Sequence, residues 1–106
     1  MSRSLPSVDP TVRPAVSCAD ELGRLIRSER ARQGLRIDDA AALCHVSSSV
    51  LSRVENGKAV TSDNLLRLLD GLGLSLLIVS KRQVEPLEAL AKALSRRKSD
   101  AAPGSA

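Results

Sequence analysis

The chain has 106 residues, room for one domain and two tails, and although 42% of them are hydrophobic none is Phe, Tyr or Trp. Leu, Ile, Val and Ala must therefore fill a core that aromatic rings usually help to fill, and a domain so small and marginal is expected to lean on a partner surface, most simply a second copy of the chain. Sixteen Lys and Arg, most of them Arg, against twelve Asp and Glu give a net charge of +4, a mild bias compatible with nucleic acid; two isolated cysteines rule out a disulfide framework, and the longest apolar run, Leu76 to Val79, is far too short to span a membrane.

Residues 1–18 carry Pro6, Pro10 and Pro14 among Ser, Thr and Arg and read as a flexible arm without the apolar core of a secretory signal. With the cysteines unpaired, this fits a reducing cytoplasm. The ordered domain is expected over 19–82. Its first helix starts near Asp20, with Ser17 and Asp20 at capping-box spacing. Leu22, Leu25 and Ile26 recur at helical intervals, and Gly34 supplies a stop. A second, short helix runs from about Ile37 to Cys44. Asp38 and Asp39 lie in its first turn, where the helix dipole favours anions, and Ala40, Ala41 and Ala42 permit close approach to a neighbour.

The connection Cys44-His45-Val46 leads into Ser47, a good N-cap for a third helix from Ser48 to about Asn56, with Asn56-Gly57 as its C-terminal signal. Ser62 is the expected cap of a fourth helix with a broad leucine face, Leu65, Leu66, Leu68, Leu69 and Leu72, ended by Gly71 and Gly73. Leu74 to Ser80 reads LSLLIVS, short and rich in branched residues, and predicts a strand. A lone strand leaves backbone groups unpaired, so Leu74, Leu76, Leu77, Ile78 and Val79 are expected to pair with the same segment of a second copy about a two-fold axis. In the tail, 83–106, Leu87, Leu90, Ala91 and Leu94 predict an amphipathic helix over 86–97, with Arg96, Arg97 and Lys98 at its end.

Two short helices joined by a tight turn form the arrangement that sets a helix into the DNA major groove. Val46, Val50, Leu51 and Val54 would hold the third helix on the core. Ser48, Ser49, Ser52 and Arg53 would face outward, the small serines letting the helix approach DNA and Arg53 offering the paired contact to guanine O6 and N7. Arg36 stands just ahead of the second helix. Ser47 caps the third, and Asn56 and Lys58 follow it, where backbone contacts cluster. These eight residues are the candidate DNA-binding set.

Arg30, Gly34-Leu35, Ala41, Val46-Ser47, the run Leu51-Ser52-Arg53-Val54-Glu55 and Asn56-Gly57-Lys58 together resemble the Xre or lambda-repressor-like helix-turn-helix family, and the ending from Leu65 to Val79 is most similar to HipB-like antitoxins. The resemblance spans some sixty residues, more than half the chain. It implies an all-α, four- to five-helix domain with one C-terminal β-strand pairing across a homodimer. It implies a repressor whose two recognition helices enter successive major grooves, about 34 Å apart, of a palindromic operator. It also implies a HipA-like serine/threonine kinase toxin as a partner, and a structural ion pair between Arg30 and Glu55. The family often has Thr-Gln where Arg36-Ile37 stand, the Gln touching the DNA backbone, a contact that Arg36 could replace as a phosphate clamp; it often has Gly where His45 stands, and Arg or Gln at Ser48 and Ser49. Two alternatives stay open: a stand-alone Xre-type regulator, or a protein-interaction module that no longer reads DNA.

No enzyme, cofactor or metal is expected. Cys44-His45 lacks further ligands, since the only other thiol is Cys18 and there is no second His. No nucleophile–base–acid set or glycine-rich phosphate loop is visible. Cys44 reads as a small core residue.

Overall fold

The structure, a computed structural model, describes residues 13–101. Residues 1–12 of the expected arm and the end of the tail, 102–106, lie outside the described residues. The described chain holds five α-helices: α1 (Ala19–Arg32), α2 (Ile37–Leu43), α3 (Ser48–Glu55), α4 (Ser62–Gly71) and α5 (Val84–Ala101), the last entered through a 3-10 turn at Lys81–Gln83. They divide into two compact units, residues 16–77 and residues 13–15 with 78–101.

In the first unit α1 and α2 both pack on α3, and α4 closes the other side of the core. Ile26, Leu51 and Leu68 have no exposed surface, and Ala40, Ala41, Cys44, Val54, Leu69 and Leu72 complete the buried set. Leu22, Leu35, Ile37, Val46, Val60, Leu65 and Leu74 pack around it. The core holds no aromatic ring, as the composition requires. The α-helices substitute close approach for aromatic bulk. A Cβ at Gly23 of α1 would lie 2.5 Å from the Val54 carbonyl oxygen, and one at Gly71 of α4 would lie 2.5 Å from Cys44 Sγ.

Helix boundaries follow their local chemistry, with shifts from the sequence expectation. α1 begins after Cys18, and the carboxylate that reaches back is that of Glu21, whose Oε1 accepts the Ser17 backbone N–H at 2.7 Å. The expected Ser17–Asp20 box is therefore not formed. Asp20 stands one residue too early once Cys18 is the cap. α4 is capped by Thr61, whose Oγ1 accepts from Asn64 N at 3.2 Å, and Ser62 is its first helical residue. Either hydroxyl could cap. Thr61 does so because its backbone is extended (φ −72°, ψ 152°). α5 starts before Pro86, because a proline in the first turn forfeits only an N–H that has no helical partner.

The expected strand is not present. Residues 74–80 form no strand among the described residues. A strand exists by pairing, and within one copy this segment meets no edge. Leu74 packs on the core, whereas Leu76, Leu77 and Ile78 are 60%, 72% and 87% exposed.

In the second unit, α5 is tied to the chain ahead of α1. Arg13 Nε donates to Glu88 Oε2 at 3.0 Å, and the Ala15 backbone N–H donates to the same oxygen at 3.3 Å. The hydrogen bond from Arg13 holds the Glu88 carboxyl below the usual carboxylate range. Residues 13–15 are thus fastened rather than free. Leu90 and Leu94 of α5 are each 55% exposed. Among the described residues no helix is long and apolar enough to cross a membrane.

Candidate nucleic-acid interface

The site is built on the α2–turn–α3 unit. α2 ends at Leu43, and the chain reverses through His45 N–H to Ala42 O (3.2 Å) and Val46 N–H to Ala41 O (3.0 Å). His45 takes the reversal at φ 58°, in the left-handed region that His tolerates better than most residues. The turn therefore forms without the glycine common at that place. Val46 then packs on the core, and Ser47 caps α3, its Oγ accepting from Val50 N at 3.1 Å.

α3 divides as its period dictates. Leu51 and Val54 are buried and Val50 is half-buried, while Ser49 and Arg53 are exposed and Ser48 and Ser52 lie at the margin. Ser48 is engaged, its Oγ donating to Asp38 Oδ1 at 2.7 Å and so fastening the start of α3 to the first turn of α2. Ser49 has an exposed hydroxyl with no protein partner among the described residues. At the other end Asn56 Nδ2 donates to Ser52 O at 2.8 Å and caps the helix. Gly57 turns the chain at φ 73°, and Lys58 follows, exposed. Arg53 Nε and Nη2 both donate to the Ala59 carbonyl, at 3.0 and 2.9 Å.

Beneath this surface Arg30 and Glu55 form the bidentate pair that the resemblance implies. Nε lies 2.7 Å from Oε2, Nη2 lies 2.9 Å from Oε1, and Nη1 reaches Leu35 O at 3.0 Å. Their side chains are only 8% and 5% exposed. A shallow cleft opens over the pair, lined by Arg27, Arg36, Ile37, Ser52 and Asn56. Arg27 and Arg36 enter no ion pair or hydrogen bond among the described residues, so the cleft carries two uncompensated cations.

Of the candidate residues, the structure brings Arg36, Ser52 and Asn56 to this cleft. It leaves Ser47, Ser48 and Ser49 at the N-terminal end of α3, turns the side chain of Arg53, in the last turn of α3, onto the loop that follows, and sets Lys58 in that loop. Arg27 is missing from the sequence reading. Its signal is its place three residues before Arg30, on the same face of α1.

Cys44 is buried at the end of α2, its thiol donating to Leu68 O at 3.5 Å. Burial, and then the charge of Asp70, push the thiol pKa up, which disfavours the thiolate that a metal would need. Among the described residues no three His, Cys, Asp or Glu side chains gather as metal ligands do.

Residues 21–77 match the family model described as a helix-turn-helix domain. No curated protein matches the sequence significantly. Among solved structures, the chain is similar to a HipB point variant in complex with an O2 20mer, with a TM-score of 0.58 at 18% identity over 63% of this chain and 94% of that one. HipB in the HipA-HipB-O2-O3 complex gives the same score and identity over 63% and 96%. At that identity the likeness establishes the fold. The clp gene regulator ClgR from C. glutamicum is 34% identical over 57% of this chain and 80% of its own, with a TM-score of 0.50. The family match covers more than half of the chain and contains the α2–turn–α3 unit just described, and the chain belongs to the Xre-like helix-turn-helix family of DNA-binding transcription regulators.

Proposed function

We propose that the chain is a dimeric, sequence-specific repressor of its own promoter, acting in the cytoplasm, and the antitoxin of a HipA-like kinase toxin. One observation carries the DNA-binding part. α3 is anchored by Leu51 and Val54 and turns a face of small polar residues outward, while Arg27, Arg36 and Lys58 flank it without ion-pair partners among the described residues. Unpaired cations around a helix slim enough to enter a groove are what phosphate positioning and base contact need. The HipB structures, one with an O2 20mer and one with HipA, O2 and O3, support the antitoxin assignment. The 34% identity to ClgR favours a second reading, a stand-alone regulator. A kinase that co-purifies with the chain separates the two.

The test is footprinting of the chain's own promoter with a binding isotherm. The expected result is a protected palindrome with half-sites one helical turn apart. Arg36→Ala should weaken binding to operator and unrelated duplex alike and reduce the slope of log K against log salt by about 1. An unprotected promoter at low salt, from protein shown to be folded, overturns the reading.

The dimer places Leu74, Leu76, Leu77, Ile78 and Val79 of one copy against the same residues of another. The support is physical. Leu76, Leu77 and Ile78 form a run of exposed branched residues with backbone groups that no ladder in one copy satisfies, and a two-fold partner would bury both. Ile78→Asp should convert a dimer into a monomer by sedimentation without changing the helical circular dichroism of the monomer unit. A dimer that persists in Ile78→Asp and in Leu76→Asp/Ile78→Asp removes this segment from the interface.

A further inference from the structure

We infer that Arg53 serves DNA binding as a clamp on the loop after α3, orienting Lys58, rather than as a reader of guanine; this rests on the DNA-binding reading above. An arginine reads guanine by presenting two parallel N–H donors to O6 and N7. Here Nε and Nη2, one such pair of donors, converge on a single acceptor, the Ala59 carbonyl, at 3.0 and 2.9 Å. The backbone of the same residue grips the loop as well, since Arg53 O accepts the Lys58 N–H at 2.8 Å. Lys58 and Ala59 are thus fixed by one residue through its side chain and its main chain. The chain between is already constrained by the Asn56 cap and the left-handed Gly57, so the clamp sets the last open element of that loop.

Releasing Arg53 to read a base would leave the exposed Ala59 carbonyl to water and hold Lys58 by its main-chain bond to Arg53 O alone. The N–H donors that remain outside the clamp suit a phosphate oxygen, which holds register but carries no sequence information. The exposed Ser49 hydroxyl can donate or accept at either kind of base pair. On this inference sequence preference arises from the shape and deformability of the duplex and from serine contacts of α3, with phosphates supplying most of the affinity.

A double-mutant cycle tests this. Affinities of wild type, Arg53→Ala, Arg53→Gln, Lys58→Ala and Arg53→Ala/Lys58→Ala are measured by fluorescence anisotropy. The probes are the footprinted operator and a scrambled duplex of equal length, with melting curves run in parallel. Arg53→Ala is expected to weaken both duplexes by the same factor, on the order of tenfold, leaving their ratio unchanged. Lys58→Ala should cost much less once Arg53 is already Ala. Arg53→Gln, whose amide can still donate to Ala59 O, should recover part of the loss and bind better than Arg53→Ala.

A guanine reader would behave otherwise. The operator-to-scrambled ratio would fall by roughly 5- to 150-fold with the scrambled affinity nearly unchanged, the Lys58 effect would add to it, and Arg53→Gln would not recover. That pattern overturns the inference while the DNA-binding reading stands. Wild-type protein that binds neither duplex overturns that reading, and the inference with it.

Discussion

Glu55→Ala is expected to destabilise the folded domain by about 3–5 kcal/mol, read as a shift of the urea midpoint and melting temperature. The substitution leaves the Arg30 guanidinium in place, 8% exposed, with only the Leu35 carbonyl to answer it. The cost is that of a charge held away from water, which is far larger than the net worth of the pair it belonged to. The size is judged against the whole. A domain of about sixty ordered residues is worth roughly 3–9 kcal/mol, so this one change is expected to leave much of the protein unfolded. The pair also joins α1 to the last residue of α3, so α3 loses its brace as the fold weakens. Arg30→Met/Glu55→Leu should be far milder than Glu55→Ala, because it removes both charges and keeps apolar volume. A loss under about 1 kcal/mol in Glu55→Ala would show that water reaches the site freely.

The residues that can be read from the sequence are those whose role depends on near neighbours. The inward face of α3 follows from Val46, Val50, Leu51 and Val54 at helical spacing. The positive φ at His45 and the turn at Gly57 follow from intrinsic backbone preference. The Arg30–Glu55 pair lies 25 residues apart in sequence and is legible only through resemblance to a family, since nothing local links the two. What escapes depends on contacts made across space or on two equivalent local choices. The run Leu74–Ser80 has the composition of a strand, but composition does not supply an edge to pair with. Thr61 and Ser62 are both capping residues, and only the backbone decides between them. Pro86 has the look of the first residue of α5, although a proline fits anywhere in the first turn. Ser48 reads as free in sequence, yet α2 places Asp38 beside it. Arg53 reads as free too, yet the loop brings Ala59 back to it.

Gly23→Ala is the clearest case of a residue whose spacing in sequence says the opposite of its role. In the interior of a helix, Gly is about 1 kcal/mol worse than Ala, so on propensity alone the change should stabilise α1. The structure reverses the sign. A Cβ at position 23 would meet Val54 O at 2.5 Å, Glu55 O at 2.7 Å and Glu55 C at 2.9 Å. All three are backbone atoms at the C-terminal turn of α3, so no side chain can swing aside. α1 and α3 must separate, and Ile26, Leu51 and Val54, the residues packed between them, lose their close fit. Ordinary overpacking costs about 1–3 kcal/mol. With only backbone to yield, the loss is expected at the upper end, about 3 kcal/mol, well beyond the propensity gain. The displacement falls on α3, so, on the proposed DNA-binding role of that helix, the surviving folded fraction of Gly23→Ala should also bind operator more weakly than its stability alone accounts for. The measurement is a paired one, urea unfolding and operator affinity on the same protein. Gly34→Ala is the control, because its Cβ would meet nothing within 4 Å and its strain comes only from φ 69°, so it should lose stability without moving α3. If Gly23→Ala proves as stable as wild type, α1 and α3 are not in the close contact that this core of aliphatic residues depends on.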